Sequence, residues 1–327
     1  MVGTLFVEPF SPEYYADRLF DPGSPLNRDD CLAPFRRLRT ACEEKGIAVR
    51  TADALWHGRG SIPLRSYYLS LGMTTHLRRV AKTPGLSPVG LFLFEPPTIA
   101  ARRFLLLRYY QRLVCRVFTL LSPAEGFGPL SIGGLQFRYP QAPVPEARES
   151  ATGVRDRWLV AIFANKRPRL PWRELYSARR RAVEVFARRG ELDLYGPGWD
   201  RVPHLARAWR GLAGRKLETL RRYRFSLCYE NSRWRGYATE KLFDSLHAGA
   251  IPIYWGAPDI EEIVPSEVFI DRRQFQSEVE LGQFLRDVSD ARRREYQEAG
   301  QAFLRSEAYR QFAPEGFAQL VLKLLMA

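Results

Sequence analysis

Five polar side chains crowd into one short stretch of this chain: Glu230, Asn231, Tyr237, Glu240 and Lys241, within Arg222–Gly256, RYRFSLCYENSRWRGYATEKLFDSLHAGAIPIYWG. Thr239 is of the type that caps a helix start, which puts Glu240 and Lys241 in a first helical turn. Such a turn carries unpaired N–H groups and the positive end of the helix dipole, a ready place for a phosphate. An acid there merely complements the dipole, whereas a lysine sits against it. Lys241 is therefore the candidate that points most directly to a bound anion, with Glu240 as a candidate acceptor for ribose hydroxyls. Tyr237 reads either as a flank for a nucleotide or as a packing aromatic. Glu230 and Asn231 could contact the ligand or tie down their own loop.

The elements that must position these groups follow from the pattern around them. Phe225–Tyr229 is an apolar run suited to a buried strand, and Ile251–Trp255 is a second. Between them Leu242, Phe243 and Leu246 recur at helical spacing, and Gly249 with Pro252 beyond it supplies the stop. Two parallel strands joined by a helix form a βαβ unit, and open parallel sheets bind ligands at the carboxyl ends of their strands. All five polar residues fall at that end.

The fixed positions in this stretch are Phe225-x-Leu227-x-Tyr229-Glu230-Asn231-Ser232, then Tyr237-x-Thr239-Glu240-Lys241-Leu242, then Gly249-x-Ile251-Pro252-Ile253 and Gly256. The pattern resembles the donor-binding signature of the family-10 glycosyltransferases, the α1,3/1,4-fucosyltransferases, in a bacterial-type form without a membrane anchor. Pro265, Phe269 and Ile270 continue the resemblance, with Val268 where the family usually has Ser. It covers about residues 157–275 strongly and the first 150 only in outline. It implies a GT-B-type α/β fold, two Rossmann-like doubly wound domains facing across a cleft, with the nucleotide in the C-terminal half.

The whole chain is compatible with that architecture. At 327 residues it is comfortable as two domains, and 46% apolar content is globular. Strands are expected at Thr4–Phe10, Ile47–Thr51, Tyr67–Leu71, Val89–Phe94 and Val117–Leu121, with helices at Leu32–Lys45 and Ile99–Arg116. A long loop, Ser11–Asp30, is a candidate functional segment. Ser122–Arg157 is rich in Gly and Pro and reads as a linker. Residues 1–150 are thus expected to form an acceptor-side domain, 151–305 the nucleotide-sugar domain, and 306–327 a terminal helix that returns to the first. In the second half Trp158–Phe163, Leu192–Tyr195 and Val268–Ile270 read as strands and Trp172–Arg189 as a helix.

Four dispersed cysteines and four dispersed histidines form no zinc pattern and no disulfide framework. No uncharged run is long enough for a membrane span, and MVGTLFVEPF lacks a secretory n-region, so a cytoplasmic location is expected. Fifty Lys+Arg against 36 Asp+Glu give a net charge of +14, which favours polyanionic partners. The basic stretches Ile99–Arg116 and Arg173–Arg189 could hold the protein against an anionic inner membrane face or a lipid-linked acceptor.

The chemistry implied by the resemblance is inverting transfer of fucose from GDP-fucose to a glycan hydroxyl in α1,3-type linkage. The leaving diphosphate must be neutralised and the acceptor hydroxyl deprotonated. No D-x-D pair is present, so Lys241, the Thr239 helix start and an arginine are expected to act without a required cofactor or metal, although a divalent cation could aid product release. The resemblance places an arginine of the domain's first helix on the diphosphate: Arg173, with Arg180 as substitute. Asn165 and Lys166, at a strand's carboxyl end, are further candidates. It also places a glutamate base at a strand end of the first half, where Glu95 in FLFEPP fits and Glu8 in FVEP is the rival. The alternatives are the same fold with another nucleotide sugar, and a basic nucleic-acid-binding protein. The second has no recognised module in its favour, so no nucleic-acid partner is expected.

Overall fold

The computed structural model describes residues 3–57, 62–63, 65–127, 130–131, 134–142, 155–168 and 170–326. The chain divides into two compact units, Met1–Pro143 with Arg310–Ala327, and Val144–Tyr309. The expected boundary at residues 150 and 151 lies outside the described residues, as does much of the expected linker.

Unit 1 runs through β1 (Gly3–Glu8), α1 (Ala33–Glu43), β2 (Ile47–Thr51), α2 (Asp53–His57), β3 (Ser66–Ser70), α3 (Leu77–Val80), β4 (Leu86–Leu93), α4 (Pro97–Leu105), α5 (Leu107–Tyr110) and β5 (Val117–Thr119). The short pair β6 (Gly126–Phe127) and β7 (Leu130–Ser131) follows, then β8 (Leu135–Gln136). Among the described residues its main sheet is parallel, in the order β2-β1-β3-β4-β5-β8. The long loop after β1 is built from short 3-10 turns and pinned to β2. Asp17 accepts from the Thr51 amide (2.8 Å) and from Arg50 Nε (2.6 Å). β8 lies within the stretch expected to be linker, because two residues are too few to show a period in sequence.

The helix expected over Ile99–Arg116 is broken. α4 ends at Leu105, and Leu106 (φ −95°, ψ 10°) leaves the helical region before α5 begins. Phe104, Leu107 and Tyr110 stay buried on both sides of the break.

Unit 2 runs through β9 (Arg157–Ile162), α6 (Tyr176–Arg188), β10 (Leu192–Tyr195), α7 (Lys216–Arg221), β11 (Tyr223–Tyr229), α8 (Glu240–Ala248), β12 (Ile251–Trp255), β13 (Ile270–Asp271), α9 (Glu278–Asp287) and α10 (Asp290–Leu304). The sheet is parallel, in the order β10-β9-β11-β12-β13. β11 is buried almost along its whole length, as a central strand covered by helices on both faces must be. Leu159, Phe225 and Ile253 from the strands meet Val183, Phe186 and Leu281 from α6 and α9 in the core. The strand expected at Val268–Ile270 is displaced to Ile270–Asp271, Ser266–Val268 being a 3-10 turn. The last helix, α11 (Pro314–Met326), belongs to unit 1, where Phe317 packs on Phe35 of α1 and Phe92 of β4.

The first five strands of the unit 1 sheet follow the same order as the five of unit 2. The direction of winding reverses between β1 and β3 in unit 1 and between β9 and β11 in unit 2. Ligands of doubly wound sheets bind at such reversals, outside the carboxyl ends of the strands.

His247 of α8 is buried, next to the Tyr309 hydroxyl (2.8 Å), and burial pushes its pKa from 6.5 down to about 4. The unfolded chain therefore takes up a proton near pH 6.5 that the folded chain refuses until about pH 4. Its contribution to stability is complete above that window and is lost as pH falls through it, by on the order of 3 kcal/mol. Urea unfolding of wild type and His247→Gln across this range should show the steeper acid-side fall in wild type; parallel curves would contradict the assignment.

Candidate active site

α8 opens at the carboxyl edge of the unit 2 sheet. Thr239 stands at the N-cap in extended conformation (φ −118°, ψ −172°), but its side chain caps none of the first-turn N–H groups. The Thr239 hydroxyl and amide both donate instead to Glu230 (2.8 and 2.7 Å). Glu230 directly follows β11, is fully buried, and gives its own amide to Trp255 O (2.8 Å). A Cβ on Gly256 would fall 2.5 Å from Glu230 Cγ, so glycine at the end of β12 is what admits this carboxylate. Glu230 thus ties β11, β12 and the start of α8 together. The loop-tying alternative describes its geometry.

Glu230 also holds Lys241. The ammonium donates to Thr239 Oγ1 (2.9 Å) and Glu240 Oε1 (3.1 Å) and lies 3.1 Å from Glu230 Oε2. Burial works against its charge, but Glu230 and Glu240 outweigh burial and raise its pKa. Glu240 is half-buried. Burial favours its neutral form, yet Lys241 and Lys216 hold it down to about 2, so it is ionised at neutral pH. A lysine gripped by two carboxylates is aimed and charged before any ligand arrives, and an anion can take over one of its three hydrogen bonds.

A second cation comes from α6. Arg179 is 4% exposed, and Nε and Nη2 donate to Tyr229 O (3.0 and 2.6 Å) while Nη2 also reaches Asn231 Oδ1 (3.0 Å). Its guanidinium lies over the rings of Phe163 and Tyr176, each 5.1 Å away. Burial lowers its pKa, opposed by Glu230, Tyr176, Tyr237 and Glu240. Arginine keeps its charge even so. Arg179 therefore spans the winding reversal between β9 and β11 and lies in the electrostatic neighbourhood of Lys241. Asn231 Nδ2 donates to the hydroxyl of Tyr237 (3.3 Å), whose ring is buried rather than presented to solvent.

The other candidates fall differently. Arg173 precedes α6, which starts only at Tyr176, so the expected helix start at Trp172 is corrected. Arg173 adopts a positive φ of 56° and stacks on Trp172 and Trp234 (4.8 and 4.4 Å). Arg180 Nη1 is 3.4 Å from Asn165 Oδ1, and Asn165 Nδ2 donates to Gly198 O (2.9 Å), binding the β9 end to the turn after β10. Lys166 follows in that same loop. Arg179 escaped the sequence reading because three arginines stand in a row. The signal was nonetheless present: Ala178, Ala182, Val183 and Phe186 mark the buried face, and Arg179 lies on it.

In unit 1 Glu95 follows β4 at the carboxyl edge, partly buried, just before Pro97 starts α4. Its rival Glu8 is fully buried at the end of β1. Tyr68 Oη (2.6 Å) and Tyr15 donate to it, and His76 Nδ1 lies 2.9 Å away. With three side chains on it and no exposed surface, Glu8 is engaged within the unit, which leaves Glu95 the more accessible of the two.

Residues 169–300 match the sequence model described as "Glycosyltransferase family 10 (fucosyltransferase) C-term". Over these residues the second unit is similar to the C-terminal domain of the family-10 glycosyltransferases. A rat α-(1,3)-fucosyltransferase 7 is 31% identical to the chain over 193 residues, 58% of this chain and 45% of that protein. The segments shared with the first curated relatives span between 10% and 45% of their lengths, so the chain spans less than half of the relatives it matches. A crystal structure of an α1,3-fucosyltransferase with GDP has a TM-score of 0.53 at 12% identity, covering 99% of this chain and 90% of that one. An Anabaena protein crystallised with UDP and glucose reaches 0.58 at 13% identity over the whole of both chains. These likenesses are of fold, the GT-B arrangement of Rossmann-like units. The Lys241 and Arg179 cluster lies within the residues matched to the family-10 domain.

Proposed function

We propose that this chain is an inverting glycosyltransferase that transfers fucose from GDP-fucose to a glycan hydroxyl. The observation that carries the reading is the pair of cations, part-buried Lys241 and buried Arg179, beside a helix start that the Thr239 side chain does not cap, at a winding reversal. A nucleoside diphosphate fits there: first-turn N–H groups and Lys241 for the phosphates, Glu240 for ribose hydroxyls. Arg179, rather than Arg173, is the arginine this reading assigns to the diphosphate.

In the reaction the acceptor oxygen attacks the anomeric carbon of fucose and its proton passes to the Glu95 carboxylate. The bond from that carbon to the β-phosphate oxygen breaks, and GDP departs with the electron pair. Lys241 and Arg179 meet the negative charge that grows on the leaving oxygen, the moment at which fixed cations lower the barrier most. With the charge met by side chains, transfer should persist in excess EDTA.

The family match and the GDP-bound neighbour support GDP-fucose as donor; the Anabaena neighbour keeps a UDP-sugar open as the second reading. Release of free sugar from GDP-fucose, GDP-mannose, UDP-glucose and UDP-galactose, each with EDTA present, separates them. GDP-fucose turnover is the expected result, and preference for a UDP-sugar or strict dependence on added metal would overturn the respective part.

A further inference from the structure

From Pro96 to Ala124 the sequence contains no aspartate or glutamate, yet it contains Arg102, Arg103, Arg108, Arg112 and Arg116. None of the five forms an ion pair among the described residues, unlike many arginines elsewhere in the chain. In their midst Leu105 is 62% exposed, Tyr109 41% and Leu106 36%. Phe104, Leu107 and Tyr110 take the inward positions, which leaves the residues between them facing water. The other basic stretch is ordinary by comparison: Arg188 pairs with Glu184, which also meets His204, and Arg179 is buried.

Guanidinium groups with no acidic partner among the described residues ask for phosphate, and exposed leucines ask for hydrocarbon. A nucleic acid would satisfy the first but offers leucine little, since bases stack on aromatic rings. An anionic lipid surface satisfies both, as arginines bind headgroup phosphates while apolar side chains enter the interface. We propose that Leu105, Leu106 and Tyr109 seat in the interfacial layer of an anionic bilayer, with Arg102, Arg108, Arg112 and Arg116 on its headgroups. No helix among the described residues is long and apolar enough to cross a membrane. α4 begins two residues beyond Glu95, which would hold the base near sugars carried on lipids at that surface.

Sedimentation of the full chain with phosphatidylcholine vesicles, and with vesicles that also contain phosphatidylglycerol, tests this. Wild type should pellet with the mixed vesicles and stay behind with pure phosphatidylcholine. Each of Arg108→Ala and Arg112→Ala should weaken binding roughly fivefold, and Leu105→Ser with Leu106→Ser at least as much. These positions are exposed, so melting temperature and GDP binding, measured on the same samples, should not change. That control also keeps membrane attachment distinct from the donor assignment, since either can fail alone. Equal recovery with both vesicle types, or salt-sensitive binding of poly(U) without vesicle binding, would overturn the proposal.

Discussion

Lys241→Ala should lower transfer by a factor on the order of 10²–10³, because a fixed charge aimed at the departing oxygen is lost. Affinity for GDP should fall with it, since the anion then meets Glu230 and Glu240 with their shared cation gone. The same geometry predicts a cost to the fold. Removing one partner of a buried ionic cluster typically destabilises by about 3–5 kcal/mol, and here one ammonium serves two carboxylates. Lys241→Arg separates the two effects. It keeps the charge and much of the stability but replaces a compact ammonium by a planar fork that cannot sit between Thr239, Glu230 and Glu240 in the same way. Arginine should therefore recover melting temperature better than it recovers turnover. Steady-state transfer and thermal unfolding of the three proteins give the comparison. Turnover that tracks stability alone would make Lys241 a structural residue.

Glu95→Gln should suppress transfer on the order of 10²–10⁴-fold, the usual contribution of a positioned general base. The substitution preserves shape and hydrogen-bonding capacity but cannot accept the proton. On the proposed reading GDP binds to unit 2, so its affinity should be unchanged. The paired control is Glu8→Gln. Glu8 accepts from two tyrosine hydroxyls, and burial together with Glu8 itself raises both phenol pKa values, so both remain donors. An amide there disturbs a buried hydrogen-bond cluster, and the expected readout is a lower melting temperature. Full transfer by Glu95→Gln, with loss in Glu8→Gln beyond what its stability explains, would exchange the roles of the two carboxylates.

The second unit was legible because its signals are local. Tyr223–Tyr229 and Ile251–Trp255 are buried on both faces, and a parallel strand so buried must read as a continuous apolar run. Gly249 ends α8 with φ 69°, the left-handed turn that glycine supplies without strain. What sequence did not disclose depends on register or on distant partners. Arg179, Arg180 and Arg181 differ by about 100° of helical rotation each, so which one enters the site depends on where α6 starts. That start is set by Glu174, whose carboxylate accepts from the Ser177 amide, a contact no local period reveals. The positive φ of Arg173 is similarly silent, since nothing in a non-glycine residue announces it. In unit 1 the break at Leu106 has no local marker, since neither glycine nor proline stands near it. Glu8 and Glu95 both stand before a proline at a strand's carboxyl end, and burial with the side chains gathered on Glu8 distinguishes them.

The central claim is that a nucleoside diphosphate docks at the start of α8 on Lys241 and Arg179. Calorimetric titration of GDP into wild type, alongside Lys241→Arg and Arg179→Lys, tests it most directly. The account predicts one site in the wild type and affinity at least tenfold weaker in each variant, in keeping with the loss of a charge-assisted contact. GDP that binds all three proteins equally, or a folded wild type that takes up no GDP, would contradict it.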